Sequence, residues 1–224
     1  MFDRIAGVYD RMNQVMTAGL DRQWRRRAAE LAGVRAGDRA LDVATGTGDL
    51  ALELAARVGP TGEVIGTDFS ERMLELARAK AGRANGGAGR VRFDAANALS
   101  LPYRDSSFDA ATVAFGVRNF SDPARGMSEM RRVVRAGGHV VVLEITTPQR
   151  PPLSLFFELW FDRAVPALGR LAGDADAYRY LPSSVKRFPA PDELAELMWR
   201  CGLCDIRYVL TAGGIIALHV GVVE

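Results

Sequence analysis

The sequence predicts an α/β fold, a mostly parallel seven-stranded sheet with helices on both faces and an antiparallel hairpin at its end. Three observations predict it. Leu41-Asp42-Val43-Ala44-Thr45-Gly46-Thr47-Gly48-Asp49 reads as a buried strand that breaks into a glycine-rich turn and opens a helix. A second strand, Glu63-Val64-Ile65-Gly66-Thr67-Asp68, ends on an acid 20 residues after Gly48, the spacing at which a carboxylate meets both hydroxyls of a ribose. Finally, Asp205 to Thr211 and Ile215 to Val222 are β-rich and separated by Ala212-Gly213-Gly214, a three-residue loop that makes a hairpin.

Each element has a local reason. Leu41 and Val43 suit a strand covered on both faces, and Leu50, Leu52, Leu54 and Ala55 space the following helix. Gly46 and Gly48 remove side chains where the chain turns tightly and a ligand must approach the backbone. The helix start then offers free N–H groups. Asp42, Thr45, Gly46, Thr47 and Gly48 are therefore candidate cofactor residues, with Asp68 as ribose anchor and Phe69 beside it. The turn alone does not choose the nucleoside, because Gly46-Thr47-Gly48-Asp49-Leu50-Ala51 also satisfies the nicotinamide pattern.

At 224 residues and 24.3 kDa the chain suits one α/β domain, residues 1–224, and is short for a dinucleotide domain plus a substrate domain. A net charge of +2 with 25% charged residues gives no basic excess for nucleic acid. Lysine stands only at 80 and 186, which reads as composition bias. No apolar run reaches membrane-spanning length and the N-terminus lacks a secretory pattern, so a cytoplasmic protein is expected. Cys201 and Cys204 form a lone CxxC that closes a helix instead of opening one, and His139 and His219 have no ligand-spaced partner. Neither redox chemistry nor a metal is expected.

Residues 2–33 read as two helices joined near Thr17-Ala18-Gly19, an arm (1–33) that either packs on the domain or carries Tyr9, Asp10 and Asn13 towards the substrate. Arg22, Arg25, Arg26 and Arg27 form a solvated helix face, with phosphate head groups as the second reading. Ser70 caps a helix with Met73, Leu74 and Ala77 inward. Val91 to Ala95 is a third strand delivering Asn97-Ala98 to the edge that holds Asp68; Asn97 reads the base, and Leu99, Leu101 and Pro102 wall it. Ala110 to Phe115 is the fourth strand, with Ala114 near its end, running into Gly116-Val117-Arg118-Asn119-Phe120. Arg118 and Asn119 are expected at the mouth of the cofactor cleft. The helix carrying Met127, Met130, Val133 and Val134 is expected to stop at Ala136-Gly137-Gly138, before the strand Val140 to Ile145. Residues 148–190 stand outside the sheet; their stripe Leu153, Phe156, Phe157, Trp160, Phe161, Ala164 and Val165 either packs on the domain or meets a greasy substrate or a membrane surface. A helix from Asp192 to Cys201 leads to the hairpin, whose place beside a parallel sheet is the arrangement of S-adenosylmethionine-dependent methyltransferases rather than nicotinamide-binding domains.

In order along the chain, Tyr9-Asp10-Arg11-Met12-Asn13 with Trp24, Asp42 to Gly48, Asp68, Asn97-Ala98, Phe115 to Asn119, Arg132 to Gly138, Tyr178-Arg179-Tyr180-Leu181 with Ser184 and Phe188-Pro189, and Gly213 to His219 resemble the blocks of one family. It is the C-methyltransferases of ubiquinone and menaquinone biosynthesis. Departures are Thr17 for the usual Ser, Ala136 for Pro and Phe120 for an aliphatic residue.

The resemblance implies a Rossmann-like class I methyltransferase that uses S-adenosylmethionine without a metal. It would methylate a ring carbon of a polyprenylated quinol, demethylmenaquinol first and the benzoquinol precursor of ubiquinone second. It implies Arg118 with Asn119 steadying a phenolate, Tyr9 and Tyr180 touching quinol oxygens, and the arm and the 148–190 insertion covering the site. A peripheral contact with the membrane is expected, and a homodimer stays open. Two other classes stay open as well: a nicotinamide oxidoreductase, and a lipid-binding protein with a vestigial pocket.

Overall fold

The computed structural model describes residues 17, 19–83, 90–148, 151, 154, 157, 159 and 183–224. Along the chain run α1 (Asp21–Leu31), β1 (Arg39–Val43), α2 (Asp49–Val58), β2 (Glu63–Asp68), α3 (Glu71–Ala81), β3 (Arg90–Ala95), β4 (Phe108–Ala114), α4 (Pro123–Val133), β5 (Val134–Ile145), α5 (Pro191–Arg200), β6 (Leu203–Thr211) and β7 (Ile216–Val223). They build a seven-stranded sheet in the order β3-β2-β1-β4-β5-β7-β6. The pairs among β1 to β5 are parallel, while β7 runs antiparallel to β5 and β6. Strand order reverses between β1 and β4, which opens a crevice at their carboxyl ends.

Alternation along the strands builds a core on each face. Ala40, Val64, Ala110, Val141 and Leu143 face the helices α1 to α3 through Ala28, Leu50, Leu54 and Leu74. Leu41, Val43, Ile65, Val113, Val140 and Val142 face α4 and α5 through Met127, Met130, Leu194 and Met198. Each such fully buried side chain contributes about 1.5–3 kcal/mol of transfer free energy. Ser70 caps α3 by accepting from Met73 N at 3.2 Å. Asp122 does the same for α4 from Arg125 N at 2.9 Å, with Pro123 in the first turn, where its missing N–H is no loss.

Two expectations are corrected. The glycines at 137 and 138 do not stop α4, which already ends at Val133; they sit inside β5. Between the pairs Phe108–Val134 and Ala110–His139, β4 advances two residues and β5 advances five, so the segment is a bulge. Gly137 takes φ +77° there, and a Cβ on Gly138 would lie 2.4 Å from Asp109 O. Arg25 is not on a solvated face either. It is buried, paired with Asp21, and its guanidinium lies 5.5 Å from the centre of the Phe115 ring. Arg26 and Arg27, by contrast, pair with Glu30 at the surface.

Within the 148–190 insertion, Phe157 and Val185 are buried against Ile145 and Ile215, so this part of it packs on the end of the sheet. Tyr9, Asp10, Asn13, Trp160, Phe161 and Tyr180 lie outside the described residues. Among the described residues no helix is long and apolar enough to cross a membrane. The β5 bulge generates a test: Gly138→Ala should lower the urea midpoint by the equivalent of about 1–3 kcal/mol without changing the slope, the scale of overpacking against a rigid neighbour. An unchanged midpoint would contradict the close approach to Asp109.

Candidate active site

The crevice between β1 and β4 is a cavity of about 400 Å³, within the range of about 300–1,000 Å³ usual for small-molecule sites. Its floor is two neighbouring corners, Ala44 after β1 and Phe115 after β4, both with positive φ (51° and 57°). For a bulky residue such as Phe115 this conformation costs about 1–3 kcal/mol. The corners nearly touch: a Cβ on Gly116 would lie 2.7 Å from that of Ala44. Gly46 also lines the cavity at φ +56°, with nothing within 4 Å of where its Cβ would be, so the space beside it is open to a ligand.

Gly46, Asp68, Phe69, Asn97, Ala98, Ala114 and Asn119 line the cavity, brought together from the ends of β1, β2, β3 and β4. Asp68 Oδ2 accepts from Gly46 N at 2.9 Å and Oδ1 from Ser70 N at 3.0 Å, which aims the carboxylate between the glycine turn and α3. Phe69 is 68% exposed over the cavity. Asn97 Oδ1 accepts from Leu99 N at 2.9 Å, so that oxygen shapes the loop and a base would meet the rest of the amide.

The other candidates stand behind this lining. Asp42 is 1% exposed and accepts from the hydroxyls of Thr45 (2.6 Å) and Thr112 (2.7 Å), tying the glycine turn to β4. Thr47 accepts from Lys80 Nζ at 3.0 Å. Gly48, at φ +84°, yields space to the Phe93 ring, 2.9 Å from its absent Cβ. Arg118 is not in the lining: its side chain is 8% exposed and its Nη1 donates to Glu144 Oε1 and to Phe115 O, both at 2.6 Å.

Two groups escaped the sequence reading. One is Glu144. The other is a clamp from α4 on the loop after β3: Leu101 N donates to Glu129 (2.8 Å), Arg132 donates to Leu101 O (2.9 Å) and Tyr103 O (2.8 Å), and Arg125 donates to Leu99 O (3.1 Å). Glu129 and Arg132 are bonded to each other as well. A buried acid late in a buried strand, and an acid three residues before an arginine on one helix, were the available signals; neither names its partner.

Among the described residues, the lining holds one carboxylate, Asp68, and no Lys or Arg. That charge pattern suits a cationic sulfonium and offers nothing to neutralise a pyrophosphate beyond backbone amides. With the acid at the end of β2, the open glycine and the apolar Phe69, Met73 and Leu99, the residues fit S-adenosylmethionine. Burial pushes the Asp42 carboxyl up from 3.8 to about 6, against the opposing hydrogen bonds of Thr45 and Thr112. The folded carboxyl thus holds its proton more tightly than the unfolded one, and stability falls as pH rises between about 4 and 6. Asp42→Asn should remove that loss. Measured by urea unfolding, the variant should gain on the parent by up to about 3 kcal/mol between pH 4 and pH 7, since about two pH units are involved. A variant that loses ground over that interval would contradict the assignment.

A sequence profile of the ubiE/COQ5 methyltransferase family matches residues 1–223. A demethylmenaquinone methyltransferase of Thermus thermophilus is 48% identical, with 99% of each chain covered. Its counterpart in Deinococcus radiodurans is 46% identical, over 99% of this chain and 90% of that one. A ubiquinone/menaquinone biosynthesis C-methyltransferase of a Geobacter species is 40% identical, over 99% and 94%. Among solved structures, an S-adenosylmethionine-dependent methyltransferase of Thermotoga maritima aligns with TM-score 0.67 at 20% identity, over 100% of this chain and 98% of that one, which shows the shared fold. The match runs the length of the sequence on the fold such enzymes use: the chain belongs to the ubiE/COQ5 methyltransferase family.

Proposed function

We propose that this protein transfers the sulfonium methyl of S-adenosylmethionine to a ring carbon of a polyprenylated quinol, with demethylmenaquinol as the acceptor ahead of the benzoquinol precursor of ubiquinone. The observation that carries the reading is the cleft itself, with its ribose acid, its open glycine and no basic side chain in the described lining. The acceptor is supported by the relatives: the two named for demethylmenaquinone share more of this sequence than the Geobacter protein named for both quinones.

A ring carbon is a poor nucleophile until a neighbouring hydroxyl loses its proton, so the site must favour the phenolate and align the carbon behind the methyl group. Arg118 and Asn119 are proposed for that task, directly or through a water. Asn119 lines the cavity, and Arg118 Nε is buried with no hydrogen-bond partner among the described residues, a donor in need of an oxygen. Tyr9 and Tyr180 are proposed as further contacts to the quinol oxygens. Phenolate and sulfonium cancel their charges as the methyl moves, so excluding water lowers the barrier; the arm and the insertion would supply that cover. A polyprenyl tail calls for a peripheral contact with a bilayer surface, and the reading is of a protein on the cytoplasmic side.

The test separates binding from chemistry. Asp68→Ala should weaken S-adenosylmethionine binding by about 10- to 100-fold in calorimetry, the scale of a lost charge-assisted bond. Arg118→Ala should keep that affinity and lose about 100- to 1,000-fold in kcat on demethylated naphthoquinol. Equal losses of affinity and turnover in Arg118→Ala would overturn its role. Faster methylation of the benzoquinol by the parent would reverse the order of acceptors.

A further inference from the structure

Glu144 is the penultimate residue of β5, 1% exposed, beside the corner that ends β4. Its Oε1 accepts from Arg118 Nη1 at 2.6 Å and from Ile145 N at 3.0 Å, and its Oε2 accepts from Arg118 N at 3.4 Å. The same Nη1 donates to Phe115 O at 2.6 Å. Phe115 is the aromatic residue held at φ +57° in the cavity wall, and its own N donates to Leu143 O at 2.8 Å. One line of contacts therefore runs from a buried carboxylate through a buried guanidinium to a strained peptide that faces the cleft. Left-handed corners at bulky residues persist only where their surroundings hold them.

The arrangement also divides the guanidinium. Among the described residues both of its side-chain bonds leave from Nη1, and Nε is buried without a partner. The edge formed by Nε and Nη2, on which a guanidinium takes an oxygen side-on, is what the clamp leaves over. We propose that Glu144 is a positioning residue for methyl transfer: by gripping Arg118 Nη1 it holds the Phe115 corner in shape and reserves the Nε–Nη2 edge for an oxygen of the acceptor. The proposal rests on the reading that an acceptor ring meets the cofactor along this wall.

Glu144→Ala and Glu144→Gln in the full chain test it, with three readouts: S-adenosylmethionine affinity by calorimetry, kcat and KM on demethylated naphthoquinol, and amide hydrogen exchange at 116–120. Glu144→Ala should keep affinity and KM within about threefold and lose about 30- to 100-fold in kcat, the scale of a misplacement of about 1 Å. Exchange at 116–120 should quicken by at least about tenfold. Glu144→Gln, which still offers an oxygen to Nη1, should recover most of both effects. If Glu144→Ala does not fold, Glu144→Asp, one methylene short, replaces it with the same expectations. An unchanged kcat, unchanged exchange, or a parallel loss of affinity and turnover in both variants would overturn the proposal. A parent inactive on every quinol would overturn the proposed acceptor instead, and exchange at 116–120 alone would then decide whether Glu144 braces the corner.

Discussion

Two adjacent parallel strands, β1 and β4, send their chains away to opposite faces of the sheet, and the gap this opens must be kept from collapsing. The structure meets the demand with two left-handed corners, Ala44 and Phe115, brought close by the absence of a side chain at Gly116. Each corner is tied from behind by a buried acid. Asp42 holds Thr45 and Thr112, so the glycine turn cannot drift from β4. Glu144 holds Arg118, which holds the Phe115 carbonyl. These ties carry a desolvation cost that apolar packing would avoid. What they add is a fixed cavity shape.

The charge balance of the cleft follows from the same design. Arg118 is drawn into an ion pair behind the wall, and Arg25 is paired with Asp21 and stacked on Phe115. Arg125 and Arg132 are spent on backbone carbonyls of the loop after β3. Arginine is plentiful in this chain, yet around the cleft it works mainly as structural bracing, leaving Asp68 as the one charge in the described lining. A sulfonium is favoured there over a pyrophosphate by the sign of the local field.

Much of this was legible in the sequence because it is local. The glycine turn, the acid at the end of β2, the Ser70 cap and the hairpin at 212–214 each follow from residue chemistry within a few positions, and β2 spans the residues expected. Non-local partners were not legible. Nothing in Arg22 to Arg27 tells that Arg25, unlike its neighbours Arg26 and Arg27, finds Asp21 and the aromatic ring of Phe115 just after β4. Gly137-Gly138 looks like a helix stop because the bulge that uses it depends on pairing with Asp109 and Ala110, far back in the chain. The partner of Arg118 lies 26 residues on, across a helix and most of a strand. No periodicity links the two.

On the proposed function, the mouth between β1 and β4 grips the adenosyl group and presents its sulfur to the Phe115 corner. A crystal structure with S-adenosylhomocysteine bound tests this most directly. The ribose hydroxyls are expected on the Asp68 carboxylate, the adenine between Phe69 and the Asn97–Leu99 loop, and the sulfur beside Ala44 and Phe115 with the Arg118–Glu144 pair intact. A ribose away from Asp68, or a sulfur on the far side of the glycine turn from Phe115, would contradict it.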